Sequence, residues 1–172
     1  MKGFAVALLA SVLVLAAGAG AAPNPHLIRA DHSLGPLRVG HATLADARAA
    51  YGSPTRVRRV RDVCRAYWRN EGLSMQLLAF GRNPCRFGTL VLATTIGRSW
   101  HTAVGLRVGD PVTRIPALYP HSALHTGAEV AGYWLVTRHA CPDVGGGAYP
   151  GLLARRLHGH VAAFVVTAGV CD

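Results

Sequence analysis

The chain has 172 residues, 51 % of them apolar and 15 % charged, which excludes an intrinsically disordered protein and a multidomain machine and leaves one medium domain or two small ones. Eighteen Lys and Arg oppose eight Asp and Glu for a formal net charge of +10, and Lys2 is the sole lysine, so arginine carries nearly all the positive charge. That balance favours an anionic partner without specifying a fold or a chemistry.

Residues 1–21 read as an export signal. Met1-Lys2 places a positive charge ahead of the uncharged Ala/Val/Leu-rich stretch 3–16, and residues 17–22 are all small. Cleavage is expected after Ala21, following the small pair Ala19 and Ala21. The alternative, an uncleaved anchor, lacks a basic stop-transfer cluster on its far side. A cysteine at the cut, needed for lipidation, is missing. The mature chain is therefore expected to be secreted or periplasmic, with no membrane span after cleavage. It would begin with a flexible stretch over 22–34, followed by repeat units over 35–100 and 101–172.

The repeat rests on Leu37-Arg38-Val39-Gly40, which recurs letter for letter as Leu106-Arg107-Val108-Gly109. Each copy is followed by a tyrosine and a breaker, Tyr51-Gly52-Ser53-Pro54 and Tyr119-Pro120. After the first copy, Thr43 and Asp46 form a short capping box ahead of a helix with Leu44, Ala47 and Tyr51 on one face. After the second, Asp110-Pro111 predicts a cap and a first-turn proline for a helix with Ile115, Leu118 and Tyr119 as its stripe.

Strands are predicted at 73–77, 89–95, 133–138 and 160–167 from alternation or β-favouring runs. His158-Gly159 reads as a hairpin turn between 152–157 and 160–166. Residues 97–104 form the expected junction and 142–150 a surface loop. The expected fold is thus α+β: a duplicated unit of a short helix and about four antiparallel strands, stapled by disulfides.

These features resemble the tandem-repeat secreted proteins related to the β-lactamase inhibitory protein. They are more remotely similar to the small lipoprotein fold of the outer-membrane assembly machinery. The likeness rests on the signal, the Leu-x-Val-Gly entry, the Tyr-Gly-x-Pro exit, the spacing Cys64-x-x-x-Trp68 and the single repetition. It implies two helix-plus-four-strand units whose sheet offers a concave protein-binding face. No inhibitory contact residue has a counterpart here, so inhibition is not implied. Cys64 lies 24 residues after Gly40 and Cys141 lies 32 after Gly109, a departure from clean duplication.

Four cysteines in an exported chain argue for two disulfides, which three pairings could satisfy. Local pairing, Cys64 with Cys85 and Cys141 with Cys171, keeps each bridge inside one unit. A metal site is the competing reading, but no CxxC or CxxH spacing occurs. His121 and His125, and His158 and His160, have ligand-like spacing without an acidic third partner. No metal or cofactor is expected.

Hydrolase elbows, paired catalytic carboxylates and nucleotide-binding fingerprints are absent from the sequence. A non-enzymatic role is expected. The densest feature is Arg56, Arg58, Arg59, Arg61, Arg65 and Arg69, with Tyr67 and Trp68 interleaved and Asp62 the single acid among them. Guanidinium forks bind carboxylate and phosphate bidentately and stack on rings. The candidate binding residues are accordingly Arg56, Arg58, Arg59, Arg61, Arg65, Tyr67, Trp68 and Trp134, on an open sheet face that takes an extracytoplasmic protein. A second possibility is electrostatic association of residues 56–69 with an anionic envelope polymer; nucleic acid is disfavoured. A third, unrelated to binding, is a histidine- and metal-dependent enzyme. Against all of these stands a plain structural role, an edge strand kept from pairing by its charge.

Overall fold

The computed structural model describes residues 24–30, 32–127, 131–139 and 147–168. The candidate signal over 1–21 and both Cys141 and Cys171 lie outside the described residues. In chain order the elements are β1 (Leu27–Ile28), β2 (Ser33–Leu34), β3 (Leu37–Arg38), α1 (Leu44–Tyr51), β4 (Arg56–Val60), β5 (Val63–Trp68), β6 (Leu73–Leu78) and α2 (Pro84–Phe87). There follow β7 (Thr89–Thr95), β8 (His101–Thr102), a 3₁₀ turn (Val112–Arg114), α3 (Ile115–Leu118), β9 (Ala123–His125), β10 (Gly132–His139), β11 (Ala148–Leu157) and β12 (His160–Thr167).

Eight strands form one sheet in the order β4-β5-β6-β7-β12-β11-β10-β9, every neighbouring pair antiparallel. Alternation sets its faces. On one face Cys64, Ala66 and Trp68 of β5, Leu73, Met75 and Leu77 of β6, Leu90 and Ala93 of β7, and Phe164 and Val166 of β12 enter the main core. Leu44 and Ala47 of α1 and Ile115 of α3 join them there.

A small second sheet, β3-β2-β1-β8, contains the parallel pair β1–β8. Its Ile28 and Leu34 are completely buried. The expectation of a flexible stretch over 22–34 therefore fails for its described part, because Ile28 and Leu34 supply core side chains that hold the segment down. Trp100 anchors the expected junction over 97–104: it is fully buried, and its Nε1 donates to the Glu71 carbonyl at 2.7 Å.

The expected α+β fold of duplicated helix units is not what forms. Strand and bridge positions make up 48 % of the described residues and helices 14 %, so the protein is predominantly β. The second half has no counterpart of the eight-residue α1. Pro116 brings no N–H to the i→i−4 ladder, and Ile115 N bonds Val112 O as in a 3₁₀ turn. The Asp110 carboxylate is occupied by Arg107 N and the Arg114 guanidinium, and no side chain caps the turn.

The two Leu-Arg-Val-Gly segments nevertheless take matching backbone paths. Gly40 and Gly109 have φ of 98° and 97°, a region that suits glycine. Gly40 N donates to Leu90 O of β7 at 2.6 Å, and Gly109 N donates to Val161 O of β12 at 2.8 Å. Leu37, Val39, Leu106 and Val108 are all buried. The segments thus hang on the two strands at the centre of the large sheet.

Other local readings agree with the structure. Thr43 caps α1, accepting from Asp46 N at 3.3 Å while Asp46 Oδ2 accepts from Thr43 N at 2.8 Å. His158-Gly159 forms the two-residue β11–β12 turn with φ of 49° and 79°, as a type I′ turn requires. Cys64 and Cys85 are disulfide-bonded with Cα atoms 5.0 Å apart, tying α2 to β5. The expected loop over 142–150 ends in strand, since β11 starts at Ala148.

Candidate functional site

β4 is the outer strand of the large sheet, and all five of its residues are exposed. It pairs only with β5, through a two-residue turn at Arg61-Asp62 in which Arg61 takes the left-handed φ of 51°. Directly paired residues share a face, so the register sorts the arginines. Arg59 pairs with Cys64 and points to the core side, where its Nε reaches Arg61 O at 3.4 Å. Arg56 pairs with Tyr67 and Arg58 with Arg65 on the opposite, open face.

The open face carries one row across all eight strands. Arg56 pairs with Tyr67, Tyr67 with Ser74, Ser74 with Thr94, Thr94 with Val165, Val165 with Leu153, Leu153 with Trp134, and Trp134 with Ala123. The candidate residues Arg56, Tyr67 and Trp134 therefore share a face, with Arg56 and Tyr67 at one side of the sheet and Trp134 near the other. The row turns from the hydroxyls of Ser74 and Thr94 to apolar side chains, and Leu153, Val165 and Trp134 form a secondary buried cluster with Leu92 against it.

A groove of about 570 Å³ opens at the Arg56 end. Arg56, Tyr67 and Arg69 border it on one side, Ser74 and Thr94 along its length, and the largely exposed Ile96 at its far edge. None of the eight strands contains Asp or Glu, while β4, β5, β10 and β11 carry seven arginines. Among the described residues the arginines of 56–69 form no ion pair; the ion pairs are His26–Glu71 and Arg114–Asp110. Their guanidinium donors face solvent. The combination of forks, a phenol, two hydroxyls and an aliphatic edge can hold a carboxylate or phosphate beside an apolar group.

The tryptophans correct the expected binding set. Trp68 is only 3 % exposed because alternation from Cys64 and Ala66 sends it to the core side, and its Nε1 is satisfied by Gly52 O at 2.9 Å. Trp134 lies on the open face yet is 7 % exposed, stacked on His125 with ring centroids 3.6 Å apart. Neither offers a free indole. Tyr67, at 37 %, is the exposed ring of the set. Arg61 sits in the turn away from the groove and the Arg58–Arg65 pair lies outside its lining on the same face, so of the expected set Arg56 and Tyr67 present side chains to the groove.

Arg69, Ser74, Thr94 and Ile96 complete the site. Ser74 and Thr94 were recoverable from the alternation that sends Leu73, Met75 and Ala93 inward. Ile96 was not, since it lies beyond β7 in a connection whose path depends on Trp100. Of the candidate metal pairs, His125 stacks on Trp134, and His160 Nδ1 sits 3.0 Å from His158 O. Among the described residues there is no group of three or more potential metal ligands.

No family model matches the chain, and no curated protein or solved structure matches it.

Proposed function

We propose that this is an exported, non-enzymatic binding protein that holds an acidic segment of a protein partner on the open face of its large sheet. The observation that carries the reading is the Arg56–Tyr67 groove in a sheet whose strands contain no carboxylate. Export is supported by the features of residues 1–21 and by the Cys64–Cys85 disulfide, a bond characteristic of oxidising compartments. Among the described residues no helix is long and apolar enough to cross a membrane. An extended acidic segment laid along Arg56 and Arg69 would pair its carboxylates with guanidinium forks and pack an apolar side chain on Tyr67 and Ile96.

The test uses a fluorescent Asp/Glu-rich peptide carrying one leucine, with its Asn/Gln counterpart as control. The acidic peptide should bind, the control should not, and Arg56→Ser with Tyr67→Ser should weaken binding at least about tenfold, the equivalent of roughly 1.4 kcal/mol. Equal affinity for the two peptides would overturn the reading.

A second reading, a purely electrostatic hold on an anionic envelope polymer, is favoured by the full exposure of β4 at the sheet edge. It predicts a steep log-linear fall of affinity with salt and indifference to Tyr67→Ser. The groove reading predicts sensitivity to that substitution at constant salt.

A further inference from the structure

The opposite end of β4 and β5 carries a separate feature. The Arg61-Asp62 turn lies against the connection between β6 and α2, with Ala79 N donating to Asp62 O at 3.1 Å. The Cys64–Cys85 disulfide fixes the far side of that connection, and Asn83 Oδ1 accepts from Cys85 N at 3.0 Å to start α2. Between these ties stands Phe80, 76 % exposed, the most exposed of the large apolar residues described.

Phe87 is 44 % exposed beside it in the chain's next turn, with the Arg82 guanidinium carbon 4.1 Å and that of Arg86 5.0 Å from its ring centroid. Arg59, Arg61, Arg82 and Arg86 thus lie in these two connected turns with Phe80 and Phe87, and Asp62 is the one carboxylate within them.

We propose that this end of the molecule docks on the surface of an anionic phospholipid bilayer, with Phe80 entering the interface. Charge selects the occupant. Four guanidiniums against one carboxylate match a negatively charged headgroup plane, to which each arginine near the surface adds attraction. An aromatic side chain held out on a stapled loop gains by entering the acyl boundary. The cation–π contacts on Phe87 present guanidiniums and aromatic surface together. The surface is distinct from the groove, which lies at the other end of the same two strands, so either proposal can fail alone.

The test is co-sedimentation of the protein recovered from an exporting host with vesicles of phosphatidylglycerol and phosphatidylcholine, and with vesicles of phosphatidylcholine alone. The first should bind it and the second should not. Phe80→Ser should lower partitioning about tenfold, and Arg82→Ser and Arg86→Ser about fivefold each, the equivalent of about 1 kcal/mol. All variants are exported and recovered in the same way, so the differences read the patch. Arg56→Ser with Tyr67→Ser, in the groove, should leave vesicle binding nearly unchanged. Partitioning insensitive to Phe80→Ser, equal binding to neutral vesicles, or complete displacement by soluble glycerophosphoglycerol would each overturn the proposal, the last by showing that a headgroup without a bilayer suffices.

Discussion

The indole Nε1 of Trp68 donates to the carbonyl oxygen of Gly52 at 2.9 Å, joining the last core-facing position of β5 to the residue that closes α1. One side chain thus fills the core and satisfies a helix-terminal carbonyl, a group that otherwise has no partner within its helix.

Trp68 should accordingly behave as a stability residue. Trp68→Ala is expected to lower unfolding free energy by roughly 3–5 kcal/mol, as large aromatic truncations in cores do, and Trp68→Phe by about 1–3 kcal/mol through the lost bond and volume. Urea denaturation followed by circular dichroism measures both. A near-neutral Trp68→Ala would mean that the ring is not packed as described.

Tyr51 should confer stability that fades in alkali. Its hydroxyl shares its one proton between Pro25 O at 3.0 Å and Leu34 O at 3.1 Å, and burial pushes its ionisation well above the ordinary phenol value, with the nearby Glu71 charge adding to the shift. A folded-state value above the unfolded one contributes fully below the unfolded value of about 10 and is lost as pH rises through the folded one. Tyr51→Phe should cost about 1–3 kcal/mol at neutral pH. The gap between the two proteins should narrow above about pH 10, as read from denaturant midpoints across pH.

The cap of α1 gives an acid-side counterpart. The Thr43 backbone N–H, then its hydroxyl, hold the Asp46 carboxyl below its usual range. A lowered folded value contributes stability above the unfolded value of about 3.9 and loses it as pH falls through the folded one. Thr43→Ala should cost about 1 kcal/mol near neutrality. The difference between the native chain and Asp46→Asn should be flat at neutral pH and shrink under strong acid. A difference that grew in acid would contradict the assignment.

Reducing Cys64–Cys85 should remove about 3 kcal/mol, the chain-entropy expectation for two cysteines 21 residues apart. Comparing Cys64→Ala/Cys85→Ala with the oxidised protein in guanidinium measures it. Vesicle binding, if it uses the stapled loop, should weaken in the same variant while the groove still takes its peptide.

Local chemistry was legible where one interaction dominates. Thr43 with Asp46, His158-Gly159 and the continuous run Thr89–Thr95 each carry their own geometry, and each appears where the sequence puts it. What failed depends on tertiary choices. The second helix looked equivalent to the first, yet Pro116 deprives it of a ladder bond that no stripe analysis registers. Trp134 was expected as an exposed binding ring, but the stack with His125 and the cover from Leu153 and Val165 come from strands 9 to 31 residues away. The arginine segment was visible from composition; its division between a groove at Arg56 and a tip at Arg61 appears only once register is known. β1 and β2 are two residues each, too short for periodicity to reveal.

The parallel pairing of β1 with β8 bears on how the molecule assembles. Leu27 meets His101 and Ile28 meets Thr102, so contacts at the start of the described chain wait for a segment 74 residues downstream. As synthesis proceeds from the N-terminus, the hairpins β4–β5 and β5–β6 can close by local contacts, and β1 can meet β2, while its other edge waits for β8. Closing such a loop costs entropy before any contact repays it. The first described strand is thus among the last to be paired on both edges. Until then, the buried positions of Ile28 and Leu34 stand open, and the nascent chain presents an apolar seam that the finished protein conceals.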